Sequence, residues 1–375
     1  MRRLAKNKVA KKLYGKLMRF AYWLQQIPNK VTPPPFRLIQ IGSAFWQSRA
    51  LYVGAKLGLA DEIADAEKST STLAKTLTLS EDHLYRLMRM LASIGVFTET
   101  SPRIFTNSKL SNYLREDNPD NVRAMILMHN SPEMTKPWFE ALEASIRDGG
   151  IPFEKTHNAD LFEFMNQNKN FNSLFSHAMD SVENIAGTQF LEDFYWGEFK
   201  RIIDVGGSQG SKSLAILKAN PKLAAVVFDR PQVIEDARNK WQSKVSESIL
   251  DRMDFVGGDM LESIPKAESD EDVYFFMAVF HSFNDTNCKI ILRNLKTAIG
   301  SKSPYIVIAD TVAEEININS ITASMDMQML VGTGGRERTM SEWKNLLNDT
   351  GFYIEQVMDI RTFAKYIVVR RKGRM

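Results

Sequence analysis

Glycines, three spaced carboxylates and one histidine are the residues of this chain whose types and order could do chemistry. The run Ile203-Asp-Val-Gly-Gly-Ser-Gln-Gly210 follows a short apolar stretch and precedes a helix-forming one. Glycines at such a junction let the backbone approach a ligand closely and turn sharply into a helix. A pyrophosphate site asks for Gly-x-Gly-x-x-Gly, and counted from Gly206 or Gly207 that spacing is absent. Asp204, just before the glycines, suits a cationic group better than a phosphate: a sulfonium or an amino acid. The glycines alone would equally serve tight packing. The next apolar run ends in Asp229, about 20 residues on, where a carboxylate can accept both hydroxyls of a ribose. A third run ends in Gly257-Gly-Asp-Met260, where Asp259 could receive an adenine amino group while Met260 packs on the ring. Singly, each acid reads as a solvated loop residue. In this order the three junctions make a pattern that chance seldom gives.

The elements that must position these residues follow from the sequence around them. Arg201–Val205, Ala224–Asp229, Val273–Val279, Pro304–Asp310 and Ala364–Arg370 are short, buried-type strands with helices such as Ser211–Lys218 between them. That alternation predicts an α/β, doubly wound, mostly parallel sheet from Lys200 onward. Before it, Ala44–Lys56, Thr70–Thr76 and Ser80–Ile94 read as amphipathic helices, with Ser80 as a start and Gly95 as a stop. Two β-prone runs about Ser101-Pro-Arg then suggest a hairpin, and three helices with a hairpin make a winged helix. Its candidate recognition helix begins Glu81-Asp82 and mixes in Arg86 and Arg89, a poor match to phosphates, so dimerisation is favoured over DNA reading. Between Asn121 and Glu192 aromatic and methionine residues recur at helical spacing, more often a core stripe than a ligand cavity.

Composition bounds the rest. A chain of 375 residues, 44% hydrophobic and 25% charged, is too long for one small core and predicts two domains. The single cysteine, Cys288, excludes an internal disulfide and a cysteine-rich zinc site, and points to a reducing, cytoplasmic compartment. No metal is expected, since the five histidines are scattered. The net charge of +3 hides 12 bases and no acids up to Ala60, followed by 36 bases against 45 acids. Within that basic front end, Arg2–Trp23 places Leu13, Leu17, Phe20 and Leu24 at helical spacing among lysines and arginines. It reads as a helical arm packing on a partner subunit, with a membrane-surface helix or a targeting segment as alternatives. Val31-Thr-Pro-Pro-Pro-Phe36 predicts an extended rod that ends the arm.

Five segments carry a family resemblance: Asp204-Val-Gly-Gly, Phe228-Asp-Arg-Pro-Gln-Val, Gly258-Asp-Met, Val279-Phe-His-Ser-Phe-Asn-Asp285 and Gly334-Gly-Arg-Glu-Arg-Thr339. From about Ala44 to Val369 the chain resembles the class I S-adenosylmethionine-dependent small-molecule O-methyltransferases, the plant caffeic acid and acetylserotonin enzymes and their bacterial secondary-metabolite relatives. The resemblance implies a Rossmann-like methyltransferase domain over 193–375 and a winged-helix dimerisation domain over 39–118. A basic arm over 1–38 and a helical connector lining an acceptor pocket over 119–192 complete the division. It implies S-adenosylmethionine as cofactor, bound through Asp204, Gly206, Gly207, Gly210, Asp229, Asp259 and Met260, and a homodimer acting on a hydroxylated small molecule.

His281 would then be the base. A phenol titrates near 10, so transfer to its oxygen gains from a group that takes the proton, and imidazole is poised for that task. The resemblance puts Glu337 against the other ring nitrogen, Asp310 as a second carboxylate, and Phe171, Phe175, Met179 and Met329 against the acceptor ring. Departures are equally specific: Ser208 replaces a third glycine, Ser282 an aspartate after the histidine, Met277 a lysine and Met165 a polar pocket residue. Together they point to a more apolar acceptor. The competing readings are a same-fold enzyme with hydroxylase or decarboxylase chemistry, and a winged-helix DNA-binding regulator.

Overall fold

The structure, a computed structural model, describes residues 4–373 apart from Ser243 and Phe363. The chain separates into two compact units, Met1–Met18 with Thr188–Met375, and Arg19–Gly187.

The first unit is built on a seven-stranded sheet. Its strands are β4 (Arg201–Val205), β5 (Ala224–Asp229), β6 (Met253–Gly257), β7 (Asp272–Met277), β8 (Tyr305–Asp310), β9 (Phe352–Asp359) and β10 (Lys365–Arg371), numbered after the three of the second unit. Their spatial order is β6-β5-β4-β7-β8-β10-β9, parallel from β6 to β8, with β10 antiparallel to both β8 and β9. β4, β5, β7 and β8 are near-continuous runs of buried residues, the pattern of strands covered on both faces. The helix Asp285–Ile299 shows why the covering forms. The Asn284 side chain caps it by accepting Asn287 N–H at 2.9 Å, and Cys288, Ile291, Leu292, Leu295 and Ile299 bury one face. The chain winds outward from β4 in one direction and then, through β7, in the other. Loops after β4 and β7 therefore flank the switch point, where open α/β sheets bind ligands at the strands' carboxyl ends.

The predicted strands are present with edges shifted by up to two residues, and β9 is an addition. The amino-terminal segment is not free: Ala5 bridges Phe194, and Lys6 N–H and Asn7 Nδ2 both donate to the buried Asp193. Arg2, where the amphipathic helix was expected to begin, lies outside the described residues. The helix itself runs Lys8–Val31 and leaves Leu13, Leu17, Phe20 and Leu24 exposed.

In the second unit the helices Thr70–Leu77 and Glu81–Ser93 precede the hairpin of β2 (Phe97–Ser101) and β3 (Ile104–Asn107), close to the predicted bounds, and a short helix, Leu59–Ile63, that the sequence did not predict comes before them. β1 (Lys68–Ser69) adds a third strand on the far side of β3. The proline rod is not formed. Pro34 and Pro35 open the helix Pro34–Lys56, which begins ten residues before the expected Ala44, and only Thr32 and Pro33 separate it from Val31. A proline costs nothing at the first helical positions, where its missing N–H would have no intrahelical partner. This helix exposes Phe36, Leu38, Ile39, Ile41, Phe45 and Trp46. Arg103 on the hairpin lies within ion-pairing distance of Glu81 and Asp82.

Candidate active site

The glycine-rich junction forms a tight cradle at the end of β4. Gly206 (φ +74°) and Gly210 (φ +80°) turn the chain through backbone conformations closed to most residues, and Gly210 opens the helix Ser211–Ala219. Ser208, which stands where the family resemblance implies a third glycine, has φ +52°. That left-handed conformation costs a side-chain-bearing residue about 1 kcal/mol or more. What holds it is Asp229, whose Oδ2 accepts Ser208 N–H at 2.8 Å while Oδ1 accepts Arg230 N–H at 2.8 Å.

A carboxylate offers about four acceptor positions, so two remain for the adjacent hydroxyls of a ribose. Burial pushes the Asp229 carboxyl above its usual range, against the lowering effect of those two N–H groups. Further donors would relieve that cost, and the site therefore fits the nucleoside of S-adenosylmethionine.

The other junctions converge on the same edge. A Cβ on Gly206 would stand 2.6 Å from a methyl of Val279, just after β7, and 3.4 Å from Cε of Met260, just after β6. Asp259 is exposed there, its Oδ1 accepting Leu261 N–H. Asp204 is 2% exposed and lies under Gly207, with Oδ2 accepting the Ser213 hydroxyl at 2.6 Å.

His281 sits in a single 3-10 turn, Phe280–Ser282, after β7. Its Nδ1 is 2.9 Å from Glu337 Oε1. An ionised carboxylate only accepts, so Nδ1 carries the hydrogen and Nε2 keeps a lone pair. Glu337 is 56 positions away, and the segment Gly334–Thr339 explains how the two meet. Gly335 packs so closely that a Cβ would fall 2.0 Å from the His281 carbonyl oxygen, and Arg336 N–H donates to that oxygen at 2.9 Å. Arg338, its side chain fully buried, donates to the carbonyls of Phe280 and Phe283 and to Asp285, and stacks on Trp343. Thr339 then caps the helix Met340–Asp349 with a reciprocal box to Glu342.

Charge around the imidazole works in both directions. Burial pulls the His281 pKa down, but the hydrogen bond to Glu337, the charges of Asp310 and Glu337 and the Ala278 carbonyl outweigh it and lift it above the ordinary value. Asp310, at the end of β8, is 2% exposed, and its Oδ2 accepts Phe280 N–H at 3.2 Å. Burial pushes its carboxyl up to about 7, and its Oδ1 and Glu337 Oε2 are both buried without a hydrogen-bond partner.

Thus Asp204, Gly206, Gly207, Gly210, Asp229, Asp259, Met260, His281, Asp310 and Glu337 all lie at one end of the sheet. Met329 is half-buried on the helix Ser320–Thr333 of the same unit. Phe171, Phe175 and Met179 belong to the second unit, on the helix Lys169–Ala186. There Phe171 is 3% exposed and packs edge-on against Phe164, and Phe175 and Met179 are half-buried. Sequence reasoning did not single out Arg338, Gly335 or Ser213. Their signal was present only as unexplained letters of the Gly-Gly-Arg-Glu-Arg-Thr segment and as the helix after the glycines.

Comparison with known proteins places this geometry in a family. The family profile of the O-methyltransferase domain matches residues 139–353, more than half of the chain, and that of the O-methyltransferase dimerisation domain matches 39–117. A phenazine O-methyltransferase of Lysobacter antibioticus is 32% identical over 321 residues, covering 86% of this chain and 92% of its own. A phenazine-1-carboxylate N-methyltransferase of Pseudomonas aeruginosa is 29% identical over 337 residues, 89% of this chain and 96% of its own. The solved structure of LaPhzM superposes with a TM-score of 0.82 at 31% identity, covering 91% of this chain and all of that one. The chain belongs to the S-adenosylmethionine-dependent O-methyltransferase family.

Proposed function

We propose that the protein transfers a methyl group to a hydroxyl oxygen of an aromatic or polyketide-like small molecule, with His281 as general base. The observation that carries this reading is the His281–Glu337 pair at 2.9 Å beside the cofactor junctions. Bound S-adenosylmethionine supplies an electrophilic methyl on a cationic sulfur. Asp229 would hold its ribose, and Asp259 with Met260 its adenine. Asp204, tied to Ser213 under the glycines, would act by shaping the loop. Met329 would give the acceptor an apolar contact.

The acceptor oxygen would bond to the methyl as the sulfur–methyl bond breaks and S-adenosylhomocysteine leaves as a neutral thioether, while the phenol O–H bond breaks and its proton passes to Nε2 of His281. Glu337 stabilises the imidazolium through Nδ1. Oxygen is favoured over nitrogen as the acceptor atom because a phenol, unlike a neutral amine, must lose a proton to become a strong nucleophile. The dimerisation domain supports a homodimer. The exposed apolar residues of Lys8–Val31 and Pro34–Lys56 are the surface such a partner would cover. Among the described residues no helix is long and apolar enough to cross a membrane.

Neutral imidazole is the form that accepts a proton, so methylation of a phenolic acceptor should rise with pH through the His281 pKa. Because that pKa is lifted above the ordinary 6.5, the acid limb of the kcat/KM profile should lie above pH 6.5. Glu337→Gln removes one of the charges that lift it and should move the limb to lower pH. A limb that stays in place in that variant would detach Glu337 from the base.

A further inference from the structure

The loop that carries Glu337 is held through its backbone N–H groups, each by a different partner. Gly335 N–H donates to the Met329 carbonyl at 3.2 Å, Arg336 N–H to the His281 carbonyl at 2.9 Å, and Thr339 N–H to Glu342 Oε2 at 2.8 Å. The N–H of Glu337 itself donates to a side chain, Asp326 Oδ1, at 2.8 Å. Asp326 lies on the helix Ser320–Thr333, about one turn before Met329. The Glu337 carboxylate is fixed by one bond from Oε1 to His281, while Oε2 is buried with no hydrogen-bond partner. Its aim therefore depends on where its own peptide is held.

We propose that Asp326 is a positioning residue for methyl transfer, fixing the Glu337 peptide so that the carboxylate meets His281 Nδ1. The inference rests on reading His281 and Glu337 as a working pair. The Arg336 N–H before this peptide is held by the His281 carbonyl and the Thr339 N–H after it by Glu342, and between them the Glu337 N–H is held by Asp326. An N–H donating to a carboxylate makes a short, charge-assisted bond, and this one restrains the peptide that aims the Glu337 side chain. It also joins the helix bearing Met329 to the carboxylate behind the base, so that a shift of that helix is felt at His281. A general base is useful only where its geometry is held, and displacements of about 1 Å cost rate steeply.

The test uses the full chain saturated with S-adenosylhomocysteine and needs no acceptor. The His281 ring is titrated by NMR and amide exchange is read at Glu337 in wild type, Asp326→Ala, Asp326→Asn and Glu337→Ala. In Asp326→Ala the Glu337 amide should exchange about tenfold faster or more. The His281 midpoint should fall by about half a pH unit or more. Asp326→Asn keeps an acceptor oxygen and should restore both towards wild type. Amides elsewhere in the same unit should keep their wild-type exchange rates, which separates a local release of residue 337 from a general loss of stability.

An Asp326→Ala protein with wild-type exchange and midpoint overturns the proposal. A midpoint that moves in Glu337→Ala but not in Asp326→Ala ends the positioning role alone. A midpoint unmoved in Glu337→Ala ends the reading of the pair, while the exchange rate at residue 337 still decides whether Asp326 holds that peptide.

Discussion

His281→Ala is expected to methylate an ordinary phenol roughly 10²–10⁴-fold more slowly than wild type, the usual contribution of a positioned general base. Affinity for S-adenosylhomocysteine should change little, because the ring's observed partners, Glu337 and Ala278, belong to the base assembly rather than the cofactor junctions. The deficit should also depend on the acceptor. A phenol acidic enough to ionise at the assay pH brings its own oxyanion and no longer needs a base, so the ratio between wild type and variant should shrink towards one. Steady-state kinetics over phenols of graded acidity checks both statements. A deficit equal for acidic and weakly acidic acceptors would mean that the ring positions the acceptor without taking its proton. The neighbouring turn should survive the change, since Arg338 holds it through the carbonyls of Phe280 and Phe283 and not through the imidazole.

Asp229→Ala should remove cofactor binding by about 10²-fold or more. Hydrogen bonds to a charged group contribute roughly 1.5–3 kcal/mol each, and two lost ribose contacts therefore amount to about 3 kcal/mol at least. The loop should loosen as well, because Ser208 is held at φ +52° by the same carboxylate and its N–H would lose its partner. Calorimetric titration with S-adenosylhomocysteine reads the effect directly. Asp229→Asn separates the two causes: its remaining oxygen can still take one N–H, but its amide donors cannot accept both ribose hydroxyls. It should fall between wild type and alanine. Unchanged affinity in Asp229→Ala would place the nucleoside elsewhere.

The legible parts of this protein were those with local patterns. Strands β4, β5, β7 and β8 are short, mostly apolar runs, and the glycines and acids at or near their ends stand beside them in sequence. β9 was not legible because it is an edge strand with Glu355 and Gln356 at its centre, so its apolar content is too low to show. The proline run was misread for a physical reason: Pro34 and Pro35 break a helix in its interior but not at its first positions. The left-handed conformation of Ser208 was not legible, and only the fold shows Asp229 holding it there. The pairing of His281 with Glu337 came from family resemblance, since nothing local joins residues 56 positions apart. Its physical basis, the near-contact of Gly335 with the His281 carbonyl and the buried Arg338 behind it, needed coordinates.

The most direct test of the account is to supply S-adenosylmethionine carrying a ¹³C-labelled methyl together with a panel of hydroxylated and amino-substituted aromatics. The labelled carbon of the product is then read by NMR for wild type and His281→Ala. The account predicts label on oxygen with the wild type, and that signal nearly lost in the variant for weakly acidic phenols. Label appearing on nitrogen, at a rate the His281→Ala protein retains, would contradict it.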